Sequence, residues 1–147
     1  MQKLTYTFVA FAFLWLCGVS VQAQNTMARD ETFTVEYYYK TKWGYADEFL
    51  RLFKKNHLPV LQKQVEMGRI TRIKIEKPRY HATEDGRWDF RVTLVFKSAA
   101  VAFSPSPEEE IIKQLYPDQA TFRKEEQRRF EILEAHWDVP LTTVPLD

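Results

Sequence analysis

Cysteine is almost missing from this chain: Cys17 is the only one in 147 residues. It lies within an N-terminal apolar stretch, so the rest of the chain holds no disulfide and no thiol nucleophile. Glycine is scarce too, with four in all. That leaves no glycine-rich phosphate loop, and no G-x-S-x-G elbow exists to position a serine. The three histidines, His57, His81 and His136, lie far apart without H-x-x-H or H-x-x-x-H spacing. No metal and no cofactor is expected from that pattern. Charge of one sign is absent as well. Once Lys3 is set aside from the 21 Lys and Arg, the remainder balances the 20 acids. A balanced chain does not point to nucleic acid or to an anionic membrane surface. The longest apolar run, Tyr6–Val19, falls short of the roughly 20 residues that span a bilayer.

That short run has another reading. Lys3 is the only charge before Arg29, the run follows it, and Ser20-Val21-Gln22-Ala23 closes it with Val at −3 and Ala at −1. This is the layout of a Sec-type signal peptide cleaved after Ala23. No twin-arginine pair is present, and Leu16 stands before Cys17 where a lipidation motif has a small residue. The expected organisation is a signal peptide over 1–23, a flexible leader over 24–31 and a single α+β domain over 32–147. The product is exported, periplasmic or secreted, with no stable membrane insertion after cleavage.

The remainder alternates between strand and helix patterns. Thr32–Lys40 places Phe33, Val35, Tyr37 and Tyr39 on one face, which predicts a strand. Trp43-Gly44 marks a turn. A helix is expected over Tyr45–Met67, with Phe49, Phe53, His57, Val60 or Leu61, Gln64 and Val65 as its inner stripe. Pro59 kinks it and Gly68 stops it. Ile70–Lys77 and Trp88–Lys97 alternate again and form an antiparallel hairpin. In the first of these, Thr71, Ile73 and Ile75 are set opposite Ile70, Arg72, Lys74 and Glu76. Ser98–Pro107 reads as a linker, Glu108–Tyr116 as a short helix, and Gln119–Ala135 as a second helix capped by Asp118. The inner face of that last helix is Phe122, Phe130, Leu133 and Ile132. Its run Arg123–Arg129 reads as a solvated face with pairs such as Glu125–Arg129. Trp137–Leu146, with two prolines, reads as an edge strand or crossing arm.

The resulting order is βαββαβ, a ferredoxin-like α+β fold with an antiparallel sheet and helices on one face. Within it, Tyr37-Tyr38-Tyr39-Lys40-Thr41-Lys42-Trp43-Gly44 leads into a helix carrying His57-Leu58-Pro59-Val60. This aromatic strand, glycine turn and H-x-P step resemble the dimeric α+β barrel superfamily, in particular its NIPSNAP and EthD-like branches. The resemblance implies a homodimer packed sheet to sheet and a pocket between each sheet and its helices. Members of that superfamily include cofactor-free monooxygenases, cyclases, isomerases and haem-degrading enzymes.

The pocket candidates follow from residue chemistry. His57, on the inner stripe, is the candidate acid or base. Arg79, Tyr80 and His81 follow Pro78 and can rim a pocket, offering a fork and a hydroxyl to a carboxylate or phenolate. Tyr37, Tyr39, Phe53 and Trp88 supply flat apolar surface for a small apolar or aromatic ligand. The residues leave three alternatives open: a binder, a cofactor-independent enzyme using His57, and a structural envelope protein whose cleft is filled by its own side chains.

Overall fold

A computed structural model describes residues 31–146. The signal peptide expected over 1–23 and nearly all of the leader over 24–31 lie outside the described residues. Strand β1 (Phe33–Thr41) leads to helix α1 (Ala46–Leu52), which runs through a π-helical turn, Phe53–His57, into α2 (Leu58–Glu66). Strands β2 (Ile70–Glu76) and β3 (Phe90–Phe96) follow, then α3 (Ala99–Phe103), α4 (Glu108–Leu115), α5 (Gln119–Glu131) and β4 (Leu133–Pro140). The four strands form one sheet in the order β2-β3-β1-β4, and every pairing is antiparallel.

The core lies between this sheet and the α1–α2 helix. Tyr39, Phe49, Phe53 and Phe90 meet there, with Tyr39–Phe49 centroids 4.9 Å apart and Phe49–Phe90 centroids 5.5 Å apart. Large aromatics that touch edge or offset add packing energy beyond the area they bury. Val35, Leu52, Leu61, Ile70, Val92, Leu94, Phe96 and Ile132 complete the cluster.

Two glycines act where the backbone requires them. Gly44 (φ 85°) makes the turn after β1, and Gly68 (φ 71°) ends the long helix. Both occupy the left-handed region that a Cβ disfavours.

The Pro59 kink takes a specific form. Proline has no N–H, so the Lys55 carbonyl loses its helical donor. The helix answers by widening: Leu58 N–H donates to Phe53 O, five residues back. The Tyr116 hydroxyl, from the end of α4, then reaches the freed carbonyl of Lys55 (3.0 Å) and the neighbouring carbonyl of Asn56 (2.8 Å). The widened turn thereby fixes α4 against the helix just where His57 projects.

Several expectations need correction. β2 does not keep one parity. A bulge between Ile70 and Arg72 pairs Ile70 with Phe96 and Arg72 with Val95. Ile70 therefore shares the helix-facing side with Ile73 and Ile75, because an extra residue flips the alternation. The Ser98–Pro107 linker contains helix α3, started by the Ser98 hydroxyl accepting from Val101 N. Finally, the charged run of α5 is not wholly solvated. Arg129 is 2% exposed, pairs with Glu126 at 2.6 Å and lies against Phe49 and Phe53. Glu125, its expected partner, instead holds Lys55 and Asn56. Phe130, expected inside, is exposed. The helix also ends earlier, so that β4 begins at Leu133 and forms the edge strand.

The register divides the sheet into two faces. Val35, Tyr37, Tyr39, Val92, Leu94, His136 and Asp138 look toward the helices. Glu36, Tyr38, Arg91, Thr93, Lys74, Glu76, Trp137 and Val139 form the opposite face.

Candidate functional site

A cavity of about 240 Å³ lies between the sheet and α2 and is bordered by α3 and the start of α4. Its apolar walls are Leu61, Ile70, Val92, Leu94, Phe96 and Ala102. Set into them are Tyr37, Tyr39, His57, Gln64, Arg69, Ser106 and Glu108. An apolar cavity of about 150 Å³ is enough to hold benzene, so this one accommodates a single substituted ring.

Each polar group arrives from a different element. Tyr37 and Tyr39 are alternate residues of β1 and point the same way by pleat. His57 is the last residue of the π-helical turn, and its ring is tilted against Phe53 at 5.2 Å. Gln64 lies two turns further along the helix, Arg69 just after its glycine stop, and Glu108 at the first position of α4.

The electrostatics are dominated by burial of the polar groups. Burial lowers the His57 imidazole to about 3, with the positive charge of Arg129 and then His136 adding to the effect. It is therefore neutral over the physiological range, one nitrogen donating and the other accepting. Burial also raises the Tyr37 phenol, helped by Asp138 and Glu108, and raises Tyr39 strongly. The Glu108 carboxyl is raised by burial and by nearby Glu126. Behind Tyr39, His136 stacks face to face at 4.4 Å and donates from Nδ1 to the Tyr38 carbonyl at 2.9 Å. Among the described residues there is no group of three or more His, Cys, Asp or Glu that could hold a metal ion.

The structure thus brings Tyr37, Tyr39 and His57 together and separates the other candidates from them. Tyr80, His81 and Trp88 line a second cleft of about 300 Å³, with Trp43, Leu50 and Arg87, at another end of the sheet. They do not rim the His57 cavity, because the loop after β2 folds over the β1 end of α1 instead. Arg79 is exposed and lines neither space. Phe53 is 1% exposed and belongs to the core rather than to a wall. Arg69, Ser106 and Glu108 were not among the expected site residues. Arg69 and Glu108 look in sequence like an ordinary strand entrance and an ordinary acidic helix start. Gln64 was expected on the inner stripe but not in the site, although a polar residue there needs a partner or a pocket.

The sheet order and one-sided helices define a ferredoxin-like α+β fold. No protein-family model and no curated protein matches the sequence. Solved structures do. A NIPSNAP family protein from Agrobacterium tumefaciens is 14% identical over 80% of this chain and 90% of that chain, with a TM-score of 0.50. A dimeric ferredoxin-like protein from an uncultured marine organism is 11% identical over 80% of this chain and 95% of that chain, with a TM-score of 0.51. The chain therefore has the fold of NIPSNAP and dimeric ferredoxin-like proteins, as the aromatic strand and H-x-P step implied.

Proposed function

We propose that this is an exported, homodimeric small-molecule-binding protein, holding a small apolar or aromatic ligand in the cavity beside His57. The observation that carries the reading is a ring-sized cavity between the sheet and α2, with apolar walls interrupted by polar groups and a neutral imidazole among them. A general base works best with a pKa near the working pH. An imidazole lowered to about 3 offers a hydrogen bond instead of a proton sink, which favours binding over turnover. The test is a thermal-shift screen with indole, phenol and benzoate on the processed protein. Leu61→Trp, which fills the cavity, is expected to abolish any rise in Tm. Equal rises in wild type and Leu61→Trp would place the ligand elsewhere, and no rise with any probe would count against a binder of single rings.

Homodimerisation is supported by the outer sheet face. Arg91 there pairs with Glu36 (3.1 Å) and Glu76 (2.7 Å), and the Tyr38 hydroxyl donates to Glu36 at 2.6 Å. Tyr38 stacks on Trp137 at 5.3 Å and meets Trp88 edge-on at 5.5 Å. Charges already paired on their own face, beside an aromatic cluster, can enter an interface without leaving an unpaired ion. Light scattering at micromolar concentration is expected to give twice the mass of the processed chain. Thr93→Glu, at the middle of that face, is expected to give one such mass; a monomeric wild type removes the sheet-to-sheet arrangement.

Export rests on residues 1–23. Intact-mass measurement is expected to find a chain beginning at Gln24. Recovery of a species that retains those residues would contradict it. No helix among the described residues is long and apolar enough to cross a membrane.

A further inference from the structure

The cavity contains one cation, Arg69, that no carboxylate among the described residues neutralises. Among the described residues, five arginines are not exposed: Arg69, Arg87, Arg91, Arg128 and Arg129. Four hold a carboxylate at close range. Arg87 has Asp89 at 2.8 Å, Arg91 has Glu76 at 2.7 Å, Arg128 has Glu48 at 2.9 Å, and Arg129 has Glu126 at 2.6 Å. Arg69 has none among the described residues, and it is the one that lines the cavity.

Its guanidinium is nevertheless held in place. Nη2 donates to the Val101 carbonyl and to the Ser104 hydroxyl, both at 3.1 Å, at the end of α3. Nε is enclosed without an acceptor. A fixed, partly dehydrated guanidinium beside an apolar space is costly without an anion and well prepared to receive one. The acidic group on the cavity wall does not supply that anion. Glu108 is close enough to raise Tyr37, and the charges that act on it are those of Glu126, Arg129 and Glu109. No ion pair joins Glu108 to Arg69, whose guanidinium is anchored at α3, whereas Tyr37, His57 and Glu108 come from β1, the widened turn and α4.

We propose that the ligand of this cavity is a small aromatic or apolar carboxylate, whose carboxylate is the missing counter-ion of Arg69. The assignment rests on the binding reading above and names the class of molecule bound. The ring lies along Leu61, Val92 and Leu94. A ligand with a hydroxyl opposite its carboxylate also reaches the Tyr37–His57–Glu108 end.

Calorimetry on the processed, full protein separates the possibilities with matched probes: benzoate against benzamide, and 4-hydroxybenzoate against 4-hydroxybenzamide. Each carboxylate is expected to bind about tenfold or more tightly than its amide, the scale of one charge-assisted hydrogen bond. That preference is expected to shrink with added salt, which needs no variant to observe. Arg69→Gln is expected to erase the preference, so that the acid and the amide of each pair bind alike. Equal binding of acid and amide by the wild type overturns the carboxylate assignment and leaves the pocket reading standing. Failure of all four probes overturns both. A carboxylate preference that survives in a folded Arg69→Gln protein moves the anion site away from Arg69 and so overturns the assignment as well.

Discussion

Replacing Glu126 by alanine is expected to lower the unfolding free energy by about 3 kcal/mol, near the lower end for breaking a buried ion pair. The reason is Arg129, which is 2% exposed and has Glu126 as its carboxylate at 2.6 Å and 3.2 Å. Removing the acid leaves a guanidinium among Phe49, Phe53 and Phe130 with only ring faces to compensate it. Cation–π contacts return about 1 to 2 kcal/mol at most, less than the desolvation of the ion. For a domain of this size the loss corresponds to a fall in Tm of roughly 10 °C. The double variant Glu126→Ala/Arg129→Met is expected to recover most of that loss, because an apolar chain of similar length suits the same wall. Urea unfolding of the two variants and the wild type decides it. A double variant no more stable than Glu126→Ala would mean that Arg129 does not depend on its partner.

That pair also shows what sequence pattern can and cannot convey. Strands β1 and β3 were legible because strict alternation over seven or more residues has one cheap solution on a half-buried sheet. The helix and its interruption were legible from Pro59 and Gly68. The form of the interruption was not, since the widened turn depends on Tyr116 arriving from sixty residues away. Arg129 was hidden among charges because a residue's face depends on where its helix is docked. Phe130 and Arg129 exchange their expected places through a rotation of one residue. The β2 bulge was hidden for a related reason: Ile70 and Ile73 differ by an odd count, and only pairing with β3 reveals the extra residue. The cavity was half legible. Tyr37, Tyr39 and His57 share strand and helix periodicities that point inward together. Arg69 and Glu108 join them only through the closure of α3 and α4, a contact between distant segments. The loop residues Tyr80 and His81 were assigned by chemistry alone, and loop direction is not written in residue type.

Acidifying the protein from pH 7 to pH 5 is expected to cost about 2 kcal/mol through His57 alone, an effect that His57→Gln removes. In the fold the imidazole is lowered from 6.5 to about 3, first by burial and then by the charges of Arg129 and His136. In the unfolded chain it protonates near 6.5. Below that pH the unfolded state binds a proton that the folded state refuses, so stability is complete above 6.5 and is lost as the pH falls toward 3. Each full unit below 6.5 costs about 1.4 kcal/mol. The window from 7 to 5 separates this from the carboxylates. Glu48, Glu76, Glu84 and Glu125 are lowered by their basic partners and lose their contribution only below 4.5. Glu108, raised by burial, acts in the opposite sense, and it is present in both proteins, so it cancels in the difference. The measurement is denaturant unfolding of wild type and His57→Gln at half-unit steps, with the two profiles expected to diverge steadily below pH 6.5. A neutral His57 also predicts that an amide probe binds equally well at pH 5.5 and pH 7.5. Parallel stability profiles would mean that His57 titrates in the fold as it does in the open chain, and its role as a neutral hydrogen-bonding group on the cavity wall would go with them.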